Sequence, residues 1–300
     1  MGIRKHAIVR KIIEMSSLHP NVQRLAENFP RLKDFVIYVP PALVGFLNYD
    51  ERVLEECDKL IKSGKNRGNT KELTAFKKIL PQELTPVQFQ WAVGMVLSDA
   101  TLQYNNNTRS CRIKMQQVDY HFPFLAVSCG ILAPWVLEGI SDPKKNKVGS
   151  MMQEMQTMRH EAFLAIADLF QDPSVPKKKE ACVKKVIRPE IGQYLTPICL
   201  AAWFIGDGGR QDYSNTNPGE GLQFHTQGFS KEDVNLLVSL LHEKYGWKGS
   251  SEPDGLNKKG EEMFLINLDK SNFASFMEQV SPYIPEYFDF KLPIPRRAEY

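Results

Sequence analysis

Two aspartates, Asp99 and Asp207, each close a long apolar segment, and both segments open on the same tripeptide, Leu84-Thr85-Pro86 and Leu195-Thr196-Pro197. Each segment reads as a buried helix finishing on a carboxylate. The negative end of a helix dipole disfavours an anion there, so packing alone gives no reason for that choice. Thirteen positions separate Pro86 from Asp99 and ten separate Pro197 from Asp207, a difference of about one helical turn. Counted back from the acids the registers agree: Gly94 and Ser98 lie five and one before Asp99, and Ala202 and Gly206 lie five and one before Asp207. Small residues thus recur four apart on one face of each helix. If those faces meet, the axes come closer than the usual separation of about 8–10 Å and the two acids become neighbours. Two carboxylates at adjacent helix ends repel each other unless one is protonated or a divalent cation lies between them. Oxygen ligation of this kind suits Mg²⁺, Mn²⁺ or Ca²⁺. Either segment alone reads equally well as a core helix whose Asp caps the next loop; the recurrence of small-Asp-small argues for chemistry.

The elements that would position these acids follow in each half. After Asp99 a polar stretch, 104–108, leads into 109–117, where Cys111, Ile113 and Met115 alternate with Ser110, Arg112, Lys114 and Gln116. Alternation with period two marks a half-buried strand. With Arg109, its polar face offers Arg112, Lys114 and Gln116, side chains that reach base edges in a major groove. In the second half, 211–221 reads as a loop before a strand at 222–227, where Gln223, His225 and Gln227 face away from Leu222, Phe224 and Thr226. Ser230 to Asp233 is a capping signal that opens a helix over 230–245, burying Val234, Leu237, Val238 and Leu241. A strand at 263–268 and a helix at 271–280 follow. The first-half segments 120–132, 148–156 and 160–170 fill the equivalent places. Each half then reads helix, two strands, helix, two strands, helix. The expected fold is α+β: two pseudo-symmetric αββαββα repeats, 81–188 and 189–300, forming a saddle with the motif helices at the interface. Residues 1–80 are expected to form a mainly helical extension, with helices at 22–29, 50–61 and 70–80.

Composition narrows the class. A chain of 300 residues, 42% hydrophobic and 24% charged, buries a substantial core. No apolar run approaches a membrane span, and the longest candidate, 35–46, is interrupted by Pro40 and Pro41. A net charge of +3 is far from the bulk positive charge of a histone-like binder, so any nucleic-acid surface is a local patch. Lys144, Lys145 and Lys147 form one basic cluster, and Lys177, Lys178, Lys179, Lys184, Lys185 and Arg188 form a denser one between the repeats, each a phosphate contact or a solvated face. Five cysteines without a CxxC pair predict neither a disulfide framework nor a zinc site, and the six histidines lack metal-ligand spacing. Residues 1–13 carry Arg4, Lys5, His6, Arg10 and Lys11 and no acid, a pattern shared by organelle-targeting helices and by basic first helices of folded domains.

The chain resembles the single-chain, two-repeat LAGLIDADG homing endonucleases, most closely their intron-encoded mitochondrial branch. Residues 91–100 and 200–209 carry the resemblance, which extends to Gln156-Thr-Met-Arg-His160-Glu-Ala-Phe163, to His225-Thr-Gln-Gly-Phe229 and to Phe290-Lys291-Leu-Pro293, and covers about 84–293. Ser98 and Ala100 stand where the first motif usually has Gly. The resemblance implies a monomeric, site-specific endonuclease that cuts both strands of duplex DNA across the minor groove, within a long recognition site, in an organelle. Asp99 and Asp207 would ligate Mg²⁺ or Mn²⁺, with the main-chain oxygens of Ser98 and Gly206, or of Ala100 and Gly208, completing the shell. Lys291 occupies a position where the family places a basic residue near the scissile phosphates; Lys184 or Lys185 matches it from the first half. Gln116 and Gln227 are candidates for supporting roles or groove contacts. The alternative within the same fold is an RNA-binding splicing cofactor, maturase-like, that holds intron RNA, or a catalytically silent ribonucleoprotein component.

Overall fold

The computed structural model describes residues 38–47, 50–68, 70–105, 107–171, 180–182, 185–214 and 217–292, together with Gln23 and Phe35. The segment 1–13, the helix expected at 22–29, and Lys177, Lys178, Lys179 and Lys184 lie outside the described residues. The N-terminal extension contributes α1 (Pro41–Val44), α2 (Glu51–Lys62) and α3 (Lys71–Ile79). Asp50 and Thr70 cap the last two by accepting from Arg52 N and Leu73 N. Val53, Leu54, Cys57, Leu60, Leu73 and Phe76 turn inward and join the main core. Leu-Thr-Pro then starts α4 (Pro86–Leu97), where Thr85 and Gln88 form a capping box and Pro86 takes a first-turn position that needs no N–H.

From α4 the first repeat runs through β1 (Thr101–Asn105), β2 (Ser110–Val118), α5 (Phe122–Ile131), β3 (Lys144–Lys145), β4 (Met151–Gln156) and α6 (Leu164–Phe170). β5 (Glu180–Cys182) lies between the repeats and adds itself to the free edge of β1. The second repeat is α7 (Pro197–Asp207), β6 (Gly208–Ser214), β7 (Asn217–His225), α8 (Lys231–Tyr245), β8 (Gly249–Leu256), β9 (Glu262–Leu268) and α9 (Phe273–Gln279). The first sheet is ordered β3-β4-β2-β1-β5 and the second β6-β7-β9-β8, so apart from β5 the two have the same antiparallel topology. One face of each sheet packs on helices: Leu102, Cys111, Ile113 and Met115 in the first, Leu222, Phe224, Ile266 and Leu268 in the second, all fully or almost fully buried. Trp203 lies against Phe224 with ring centroids 4.3 Å apart, and Phe204 against Phe276 at 5.0 Å.

The two αββαββα repeats and the helix with its Ser230–Asp233 capping box are as the sequence reading expected. The stretch 211–221 is different: it forms most of the β6/β7 hairpin. Its Gly, Asn and Pro residues hide the alternation, and two register shifts in the pairing break the period. β8 was also invisible, because Gly249-Ser-Ser-Glu-Pro-Asp-Gly-Leu256 is an exposed edge strand with no apolar face; Pro253 is tolerated beside a register shift on that edge.

α4 and α7 pack face to face through the small residues. A Cβ built on Gly94 would collide with the carbonyl oxygen of Cys199 and lie 2.7 Å from Ala202 Cβ. A Cβ on Gly206 would lie 2.5 Å from both Cβ and Oγ of Ser98. Thr196 Oγ1, at the start of α7, donates to Gln90 Oε1 at 2.7 Å, so α7 runs beside α4 from the second turn of α4 onward. Helix propensity alone favours Ala over Gly by about 1 kcal/mol. We predict that Gly94→Ala instead destabilises the fold by about 1–3 kcal/mol, the cost of forcing two backbones apart, measured as a lower midpoint in urea unfolding.

Candidate active site at the paired helix ends

The two helices end differently. α7 includes Asp207 as its last residue, whereas α4 stops at Leu97, Ser98 takes an extended turn with φ −94° and ψ −124°, and Asp99 stands just past the exit. Asp99 is exposed and Asp207 half-buried. Burial, followed by the charge of Asp99, pushes the Asp207 carboxyl up to about 7 from its ordinary 3.8; Lys185 and Lys291 oppose that shift. The acids are close enough to sense each other.

A lysine meets each helix end. Lys185 Nζ donates to Val96 O at 2.7 Å, Ser98 O at 2.8 Å and Ala100 O at 3.5 Å. Lys291 Nζ donates to Ile205 O at 2.6 Å and Gly206 O at 2.9 Å. Both satisfy carbonyls that the end of a helix leaves unpaired, and both place a cation at the negative pole of the dipole. Burial pulls both ammonium groups down, Lys291 to about 8, while Asp207 and Asp99 hold them up. Lys291 comes from a 3₁₀ turn, Glu286–Lys291, and Lys185 from the connection between the repeats. The structure therefore gathers Asp99, Asp207, Lys185 and Lys291, and the carbonyls of Ser98 and Gly206 proposed for a metal are the ones the lysines occupy.

Gln117 is the residue that the sequence reading passed over. Its Nε2 donates to Asp99 Oδ2 at 2.5 Å, and it is 5% exposed. Its neighbour Gln116 is exposed on the opposite face and donates to Glu154 Oε2 at 2.6 Å, away from the acids. The signal was present: Cys111, Ile113, Met115 and Gln117 share the inward face of β2, and a glutamine ending an apolar face needs a buried partner.

The strand residues expected to contact nucleic acid lie on the outward sheet faces. Arg112 Nε donates to Gln103 Oε1 at 2.7 Å and Lys114 pairs with Glu154 at 2.9 Å, so each is held by a neighbour on its own face. Arg109 sits in the turn before β2 with φ 43° instead of within the strand. In the second repeat the strand expected to reach 227 ends at His225, so Gln227 lies in the turn beyond β7; Gln223 and Gln227 each hydrogen-bond one ring nitrogen of His225, at 3.2 and 3.1 Å, and Gln227 also donates to Asp254 at 2.5 Å. Lys144 and Lys145 are exposed on the short edge strand β3.

The donor set fits a hard divalent cation. Among the described residues there is no group of three or more His, Cys, Asp and Glu able to hold a metal. Two carboxylates match the way Mg²⁺ is usually held, by one or two carboxylates completed by water and substrate phosphate.

The model of the LAGLIDADG DNA endonuclease family matches residues 89–276. Among curated proteins, the chain is 32% identical over 152 residues to "Probable intron-encoded endonuclease 1" of Wickerhamomyces canadensis, covering 50% of this chain and 59% of that protein. It is 28% identical over 206 residues to "Cytochrome b mRNA maturase bI2" of Saccharomyces cerevisiae, covering 66% of this chain and 45% of that protein. The chain thus spans about half the length of these relatives. Among solved structures, the homing endonuclease I-WcaI bound to its DNA recognition sequence superposes with a TM-score of 0.65 at 25% identity, covering 79% of this chain and 97% of that one.

The raised Asp207 carboxyl carries a pH signature. The folded state keeps a proton that the unfolded chain releases near 3.8, so the stability linked to Asp207 is present below that value and is lost as pH rises through about 7. In metal-free buffer Asp207→Asn is therefore expected to match the parent in melting temperature at pH 4 and to exceed it by a few degrees at pH 8, measured by calorimetry across that range. Equal melting at both ends would contradict the placement of the acid.

Proposed function

Because the chain belongs to the LAGLIDADG DNA endonuclease family, we propose that it is a monomeric homing-type endonuclease that hydrolyses both strands of duplex DNA at one long site, with Mg²⁺ or Mn²⁺ held by Asp99 and Asp207. The observation that carries this reading is the convergence of one carboxylate from each repeat at helix ends that are electrostatically costly unless a cation is present. The likeness to a DNA-bound homing endonuclease over most of the chain supports duplex DNA as substrate.

Asp99 and Asp207 would supply the acidic ligands, with water and substrate phosphate completing the shell, since Lys185 and Lys291 already take the carbonyls of Ser98, Ala100 and Gly206. A bound cation pair supplies activation of water, polarisation of the phosphate and stabilisation of the leaving 3′ oxygen. Lys185 and Lys291 hold the two helix ends in place and set positive charge where the phosphates must approach. Arg112, Lys114, Gln116, Gln223, His225 and Gln227 present donors and acceptors to the grooves, and Arg109, Lys144 and Lys145 meet the backbone.

A second reading is an RNA-binding splicing cofactor, supported by the likeness to a cytochrome b mRNA maturase, which also supports an organellar setting. The paired carboxylates favour cleavage, since holding RNA makes no demand for them.

Incubation of the protein with Mg²⁺ and a diverse duplex library, followed by sequencing of new ends, is expected to return recurrent cuts. Asp99→Asn/Asp207→Asn is expected to remove them while duplex binding survives; cutting by the double variant would sink the metal role. Replacing Lys144 and Lys145 by Ala is expected to weaken duplex binding uniformly across sequences and to reduce the slope of log K against log salt by up to about 1.8, read from binding at several salt concentrations.

A further inference from the structure

Asp99 is held by Gln117, and Gln117 is held by His121, whose Nδ1 lies 3.2 Å from Gln117 Oε1. An ionised carboxylate only accepts hydrogen bonds, so the 2.5 Å contact requires Gln117 to present Nε2 to Asp99 and leaves its Oε1 facing the imidazole. The imidazole must then carry its hydrogen on Nδ1. With that nitrogen bare, two lone pairs would face each other, and the amide would turn its oxygen toward Asp99. Three features fix the ring: it stands edge-on to Phe288 at 5.9 Å and to Tyr120 at 4.6 Å, and it occupies the junction between the 3₁₀ turn Asp119–His121 and α5. Burial, then the charge of Lys291, lowers its pKa to about 4, which agrees with a neutral donor at neutral pH.

The second repeat has a different arrangement at the matching positions. Thr101, two past Asp99, pairs with Lys114; Gly209, two past Asp207, pairs with Gln223. Counting on from Lys114 and Gln223, Gln117 matches Thr226 and His121 matches Ser230. Thr226 is 1% exposed and donates to Phe264 O at 2.8 Å, and Ser230 caps α8 by accepting from Asp233 N.

We propose that His121 is a positioning residue: it fixes the Gln117 amide, which orients the Asp99 carboxylate, and because the second repeat replaces this pair by Thr226 and Ser230, His121 governs one of the two strand cuts. The proposal rests on the endonuclease reading, and its test separates the two. His121→Phe keeps the aromatic packing and removes the donor, whereas His121→Asn offers an amide N–H near the place of Nδ1. In metal-free protein with labelled glutamine, NMR is expected to show a protected, dispersed Gln117 side-chain amide in the parent and the Asn variant, and a solvent-exchanging one in the Phe variant. His121→Met takes the place of the Phe variant if circular dichroism shows that the latter has lost its fold. On a supercoiled plasmid carrying the site, loss of the donor is expected to slow one strand cut by on the order of 10- to 100-fold with DNA affinity unchanged, so that nicked circle accumulates, and Asn is expected to restore it. An unchanged Gln117 amide in the Phe variant, or equal slowing of both strands, would overturn the proposal. A parent protein that shows the protected amide yet cuts no duplex would overturn the endonuclease reading and the strand claim together, leaving only the hold of His121 on Gln117.

Discussion

Gly94 against the Cys199 carbonyl and Gly206 against Ser98 leave no volume for a side chain between α4 and α7, and everything chemical in this molecule follows from that closeness. Packing density in protein interiors is high enough that one methyl group at such a crossing must displace backbone. The approach brings two helix C-termini together, so two sets of unpaired carbonyls and two carboxylates share one small region. Like charges and parallel dipole ends make such a region unfavourable by itself. Its persistence depends on the large apolar surfaces on either side, where Trp91, Phe124, Trp203 and Phe204 are fully buried.

Two lysines relieve the strain. Lys185 and Lys291 arrive from unrelated stretches of chain, one between the repeats and one near the end, and each inserts its ammonium among the carbonyls of a helix end. Two positive and two negative side chains sum to no net charge at neutral pH when all are ionised. The fold can therefore tolerate the paired acids, while burial and then the charge of Asp99 still hold the Asp207 carboxyl above its ordinary range. That cost of ionising Asp207 is the electrostatic property a cation would offset.

The motif helices, their acids and their small faces were legible because a one-dimensional spacing encodes a helix face directly, and the repeat of that spacing supplied the symmetry. Strands whose inward faces are apolar are legible for the same reason, such as 222–225 of β7, although the alternation runs on two residues past the strand's end at His225. What stayed hidden depended on partners far away in sequence. β8 is held by its neighbour β9 without an apolar face of its own, and β5 is three residues added to the edge of β1. Gln117 is hidden from the alternation because it lies on the apolar face of β2, opposite Arg112, Lys114 and Gln116, and its partner Asp99 is eighteen residues away. Gln223 and His225 share a face of β7, yet the hydrogen bonds of His225 to Gln223 and to Gln227 in the following turn are not readable from alternation.

The N-terminal extension runs across both repeats. α2 packs beside Ala133–Trp135 and α3 meets His160, whose Nε2 lies 3.1 Å from Lys77 O, all in the first repeat; α1 packs on Ser281–Tyr283 in the second. The extension is thus tied to both repeats. The two repeats, alike in sheet order, are therefore not interchangeable modules. A half separated as its own polypeptide would lose one of the two surfaces on which this extension packs.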